Sequence, residues 1–130
     1  MTWDTSDIND NEIIQQDGVF AYLFTASGTI YAGQAVKLIA DNTVAVTSSG
    51  DDGIGIAAIK TYHGDQIGVF GPGNIVTTAV AGSYPVGTAL YAGDNGIMVS
   101  SQSSSERIMG YVVKTGVKSS TNYKTSILLV

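Results

Sequence analysis

The sequence predicts an all-β fold, a small β-barrel or β-sandwich of two similar halves with an extended N-terminal arm. Three observations carry this reading. The first is a weak internal repeat at an offset of 53 to 55 residues. Gly33-x-Ala35-Val36 returns as Gly87-x-Ala89-Leu90, and the turn Ala40-Asp41-Asn42 as Asp94-Asn95-Gly96. Val44-Ala45-Val46 returns as Ile97-Met98-Val99, and Ile54-Gly55-Ile56-Ala57 as Met109-Gly110-Tyr111-Val112. Recurrence in one order of strand, turn and strand specifies two like β-rich halves. The second observation is that turn residues interrupt the chain from Val19 onward at roughly every 8–12 positions, the all-β spacing. The third is that no window after residue 18 keeps an apolar helical period for three turns.

The elements follow in order. Residues 1–18 form a polar leader in which a short helix around Ser6–Gln16, capped by Ser6 or Asp7, is the one helical expectation. Residues 19–130 form the β domain, with strands expected at 19–25, 35–39, 43–47, 54–60 and 66–70 in the first half. The second half places them at 74–80, 88–92, 96–100, 107–114 and 124–130. Val, Ile, Thr and Tyr dominate these runs because branched and aromatic side chains fit a pleated, half-buried surface. The turns are Asp41-Asn42, Ser49 to Gly53, Gly71-Pro72-Gly73 and Asp94-Asn95-Gly96. Asn-Gly suits a tight hairpin since both residues accept positive φ. Ser100-Ser101-Gln102-Ser103-Ser104-Ser105 reads as a flexible loop matching the 48–53 turn of the first half. The repeat predicts that these two loops occupy equivalent places.

A chain of 130 residues suits one domain. Its apolar fraction of 44% is largely Ala and Val, with one Trp and three Phe, so the core is thin and neighbouring subunits are expected to add burial. No cysteine is present, which excludes disulfides and thiolate chemistry. The N-terminus lacks a signal-peptide pattern and no stretch approaches the roughly 18 apolar residues of a membrane span, so a soluble protein is expected. Asp4, Asp7, Asp10, Glu12 and Asp17 give residues 1–18 a charge of −5, while six acidic and six basic groups leave 19–130 neutral. Nucleic acid is not the expected partner, because phosphate contacts need clustered Lys and Arg. The leader also carries Trp3, Ile8, Ile13 and Ile14, more large apolar groups than a solvating tail requires. An arm that orders on a partner accounts for both properties, with Trp3, Asp4, Asp7, Ile8, Asp10, Ile13 and Ile14 as its contact residues.

No residue pattern assembles a catalyst. The single imidazole, His63, stands in the turn Tyr62-His63-Gly64-Asp65, without a second His or any Cys to complete a zinc site. Asp51-Asp52-Gly53 and Asp94-Asn95-Gly96 lack the alternating ligands and distal Glu of a calcium loop and read as turns. Gly53-x-Gly55-x-x-Ala58 matches a dinucleotide fingerprint in letters only, since no helix follows it. Nine Asp and two Glu offer no carboxylate pair of glycosidase type. Tyr22, Tyr31, Tyr62, Tyr84, Tyr91, Tyr111 and Tyr123 suit a glycan surface but more commonly serve sheet packing and interfaces. Arg107, the sole arginine, is expected in a surface or interface ion pair. The expectation is a protein without enzymatic activity, cofactor or metal.

The body also carries a pattern spread over Ser27-Gly28-Thr29-Ile30-Tyr31-Ala32-Gly33-Gln34-Ala35-Val36, Gly64-Asp65-Gln66-Ile67-Gly68-Val69 and Val86-Gly87-Thr88-Ala89-Leu90-Tyr91. With Gly55-Ile56-Ala57, Gly73-Asn74-Ile75-Val76 and Ile108-Met109-Gly110-Tyr111-Val112, this resembles the head-decoration, or capsid cement, proteins of tailed viruses of bacteria and archaea. The resemblance covers about residues 19–130. It implies a homotrimeric β-barrel protein, made in the host cytoplasm and seated on the outer surface of the virion head. There it would staple neighbouring copies of the major capsid protein, with no nucleic-acid or membrane partner. A carbohydrate-binding module and another virion β-domain, of tail or fibre, are the alternatives.

Overall fold

The computed structural model describes residues 21–130, and the expected arm, its helix and its contact residues lie outside that range. The first half comprises β1 (Tyr22–Ala26), β2 (Ala35–Ala40), β3 (Thr43–Val46), β4 (Gly55–Ala57) and β5 (Gln66–Phe70). These close into a barrel in the order β1-β3-β2-β4-β5, with β1 parallel to β3 and every other pairing antiparallel. The second half comprises β6 (Ile75–Val80), β7 (Ala89–Leu90), β8 (Gly110–Ser119) and β9 (Asn122–Leu129), a sheet in the order β6-β9-β8-β7. Isolated bridges Val80↔Met98 and Tyr91↔Val99 connect its outer strands through residues 98 and 99. The architecture is all-β, as the sequence predicts.

The repeat is a repeat of hydrogen bonding. The parallel pair Ala26↔Val44 recurs as Val80↔Met98, and the antiparallel pair Lys37↔Ala45 as Tyr91↔Val99, each 54 residues further on. The N–H of Ser27 donates to Val44 O at 2.8 Å, and that of Ala81 to Met98 O at 3.0 Å. The N–H of Gly33 donates to Ala57 O, and that of Gly87 to Val112 O. Gly33 and Gly87 hold φ of +95° and +92°, a left-handed backbone that a Cβ would strain. Gly55 and Gly110 recur for a different reason. A Cβ at Gly55 would stand 2.2 Å from Phe70 O, and one at Gly110 would stand 2.6 Å from Leu128 O. The sequence alignment of Val44 with Ile97 is one residue out of step, because the ladder places Met98 in the position of Val44.

Several boundaries differ from expectation. Strand 54–60 stops at Ala57, because Ile59 and Lys60 turn outward into the 58–65 connection. The expected strand 96–100 is a 3₁₀ turn over Asp94–Gly96 followed by single bridges. Strand 107–114 starts late and runs on to Ser119, paired with β9 through two register shifts. Gly116 sits in that extension because a Cβ there would meet Thr125 Oγ1 at 2.2 Å. The hairpin turns at Ser120-Thr121, with Ser120 at φ +57° and no glycine to advertise the turn.

Alternation of side chains places the core. Val36, Ala57 and Val69 point into the barrel with Ala26, Ile30, Val44 and Ile67. Their chain neighbours Ala35, Ile56 and Phe70 point the other way and join Val76, Leu90, Met98, Met109, Ile127 and Leu129 in the second cluster. At Ala35–Val36, Ile56–Ala57 and Val69–Phe70, strands β2, β4 and β5 thus bury both faces, since successive residues of a strand face opposite sides. One wall of the barrel is the floor of the second half. Ile56→Ala is expected to cost about 3 kcal/mol, the usual range for a buried truncation. Urea unfolding should show that loss in one cooperative transition for both halves. Two separate transitions, or a loss below about 1 kcal/mol, would contradict a shared core.

Candidate interaction surfaces

The residues singled out for chemistry hold the fold together. His63 Nδ1 accepts a hydrogen bond from the Gly28 N–H at 2.9 Å, tying two turns at one end of the barrel. Asp51 Oδ2 accepts from the Ser48 N–H and from Lys37 Nζ, both at 2.7 Å. The Lys37 contact, then the Ser48 N–H, hold the Asp51 carboxyl below its usual pKa. Asp94 Oδ1 accepts from the Ser49 N–H at 2.9 Å, and Asp52 Oδ1 from the Arg107 N–H at 2.8 Å. No group of three or more His, Cys, Asp or Glu suited to a metal forms among the described residues. Arg107, expected in an ion pair, instead donates to the carbonyls of Gly53 and Val130.

The contacts of Asp94, Asp52 and Arg107 lie where the two halves meet. The loop after β3 and the serine-rich loop before β8 occupy equivalent positions, and they also touch each other. A Cβ on Gly50 would lie 3.9 Å from both Ser103 Cβ and Ser104 Cβ. Thr47 Oγ1 donates to Gly93 O at 3.0 Å, Thr78 Oγ1 to Gly33 O at 2.7 Å and Gln34 Nε2 to Asn95 O at 2.9 Å. The serine-rich loop, read as flexible, is wrapped around Glu106. The buried carboxylate of Glu106 accepts from the N–H groups of Ser103 and Ser104 at 2.8 and 2.7 Å, and Gln102 Nε2 donates to Glu106 O.

The outward surface includes apolar and basic parts. Leu23, Leu38 and Ile39 face solvent on β1 and β2, which flank β3 in the barrel wall. Val86 and Val117 are exposed in the second half, Val117 at 73%. Lys60 Nζ lies 4.9 Å from the Tyr31 ring centre and 5.3 Å from that of Tyr62, so these two rings are engaged by a cation. The basic part is the β8–β9 hairpin, where Gly110–Leu129 carries Lys114, Lys118 and Lys124 and no acidic residue. Sequence reasoning missed it because the lysines become neighbours only once β8 extends past Thr115. The sequence-derived contact residues Trp3, Asp4, Asp7, Ile8, Asp10, Ile13 and Ile14 lie outside the described residues.

The fold has a solved counterpart. A structure described as the crystal structure of head fiber gp8.5 N base in bacteriophage phi29 superposes with a TM-score of 0.63. The similarity covers 91% of this chain and 94% of that one at 14% sequence identity, a likeness of fold. No protein-family model matches the chain. No curated protein matches it by sequence.

Glu106 gives this interface a pH dependence. The Ser103 N–H foremost, with its own and the Ser104 N–H, lowers its pKa below the ordinary glutamate value, against the opposing effect of burial. The ionised form is therefore favoured by folding, and its stabilisation is complete above the ordinary glutamate pKa. It is lost as pH falls through that value to the depressed one of the folded state. Glu106→Gln should flatten the acid limb of a melting-temperature profile between about pH 5 and pH 3. An unchanged acid limb would mean that Glu106 does not organise the loop.

Proposed function

We propose that this protein is a structural component of a bacteriophage virion, a decoration or cement protein on the outside of the head. The observation that carries this is the fold likeness, over nearly the whole of both chains, to the base of a phage head fibre. The sequence pattern of residues 19–130 points to the same kind of particle. The protein works without catalysis. In support, His63 Nδ1 accepts from a backbone N–H, as do the carboxylates of Asp51, Asp52, Asp94 and Glu106.

The mechanism is the lending of surface. The major capsid protein is the partner, and residues 1–18 are the arm that engages it through Trp3, Asp4, Asp7, Ile8, Asp10, Ile13 and Ile14. An extended segment adds affinity through backbone hydrogen bonds to a partner's strand edge. The exposed Leu23, Leu38 and Ile39 support self-association as a homotrimer, which would bury a wall of the barrel left apolar in the single chain. Copies repeated over a shell then add weak contacts through multivalency. A fibre-base role, in which the domain anchors a protruding partner, is the second reading, and the phi29 structure favours it.

Deletion of residues 2–17 should abolish most binding to mature shells while leaving the β domain folded by circular dichroism. Undiminished binding would remove the arm from the mechanism. Electron microscopy of decorated shells separates the two readings, since cement forms low knobs and a fibre base carries a projecting density.

A further inference from the structure

The barrel of the first half is closed, whereas in the second half β8 has an open edge among the described residues. Strand β8 pairs on one side with β9 along its length, and on the other with β7 only at Gly110 and Tyr111. The last backbone contacts on that outer side join Val112 to Gly87 and Thr88. From Val113 to Ser119 the outer edge has no strand partner among the described residues. Unpaired edges invite another strand, and natural proteins either guard or cover them. This one displays Val113 and Val117 to solvent together with the exposed Lys114 and Lys118.

The N-terminal segment of this chain complements such an edge. Residues 1–18 carry five acidic groups and no basic one, whereas the β8–β9 hairpin carries three lysines and no acid. The leader also supplies Ile8, Ile13 and Ile14 to meet exposed valines. Reach is sufficient. Ala21, the first described residue, packs against the same core cluster as Tyr123, which stands opposite Lys118 in the ladder. Eighteen extended residues span about 60 Å at roughly 3.3 Å each, well beyond the ~14 Å radius of gyration expected for a domain of this size.

We infer that the open edge of β8 is the docking edge for the acidic N-terminal segment of the same molecule, which adds there as an outer strand. Lys114 and Lys118 receive its carboxylates, and Val113 and Val117 its isoleucines. The inference rests on the reading of residues 1–18 as a binding arm. It gives the free protein a stored form of that arm, covering its edge against aggregation until a shell competes for it.

The test is residue-resolved amide hydrogen exchange on the full chain, free of capsids. The outer-edge amides of 113–119 should be protected. Deletion of residues 2–17, or Lys114→Glu with Lys118→Glu, should speed their exchange about tenfold or more without altering the β6–β9 amides. Raising NaCl from about 0.02 to about 0.5 M should act likewise, as the Debye length shortens from roughly 20 to roughly 4 Å. Adding Asp4→Lys, Asp7→Lys and Asp10→Lys to the double Glu variant should restore protection. Equal exchange in the full chain and the deletion overturns the inference. So does protection that rises with protein concentration, which would place the arm on a neighbouring copy. If deletion abolishes shell binding but leaves edge exchange unchanged, this inference fails while the proposed function stands.

Discussion

Everything in this molecule depends on strands that must bury both of their faces. Ala35, Ile56 and Phe70 face the second half, while Val36, Ala57 and Val69 face the barrel interior. A barrel wall normally has a wet side, and here that side is another core. Gly55 is the small residue that permits it, because its missing side chain lets β4 lie close to the Phe70 carbonyl. The arrangement compensates for a scarcity of large side chains. Each half borrows burial from the other, and two thin cores become one of adequate size.

The same constraint decides what the polar residues do. With the halves fixed against each other by packing, their loops meet, and backbone groups there take side-chain partners. Asp94, Asp52, Glu106 and the Arg107 guanidinium supply them. Side chains that resemble candidates for metal or acid–base chemistry in the sequence are therefore structural acceptors and donors.

The two halves are alike in hydrogen bonding and unlike in closure. The first is sealed, whereas the second replaces a full strand by two bridges and lengthens its hairpin to Ser119. Divergence of a repeat at an edge is where interaction is most readily acquired, because strand pairing needs no elaborate side-chain match. The basic hairpin and the acidic leader carry opposite charge towards the two ends of the chain.

The all-β class, the duplication and most strand positions were legible from the amino acids alone. Gly33 and Gly87, or Gly55 and Gly110, must recur wherever a backbone turn or close approach recurs. Period-two burial and turn residues are likewise local properties, and so is the concentration of negative charge in residues 1–18. Ladder register, the length of β8 and the sharing of one core were not legible. Met98 rather than Ile97 takes the place of Val44, because register is set by the partner strand and not by the strand itself. The bulges at Lys114 and Val117 and a turn without glycine hid the hairpin, so its lysines were not seen as neighbours. Sequence specified which pieces would form, since propensity and alternation act over a few residues. Tertiary structure alone decided which faces and edges remain available, since that depends on what each strand packs against far along the chain.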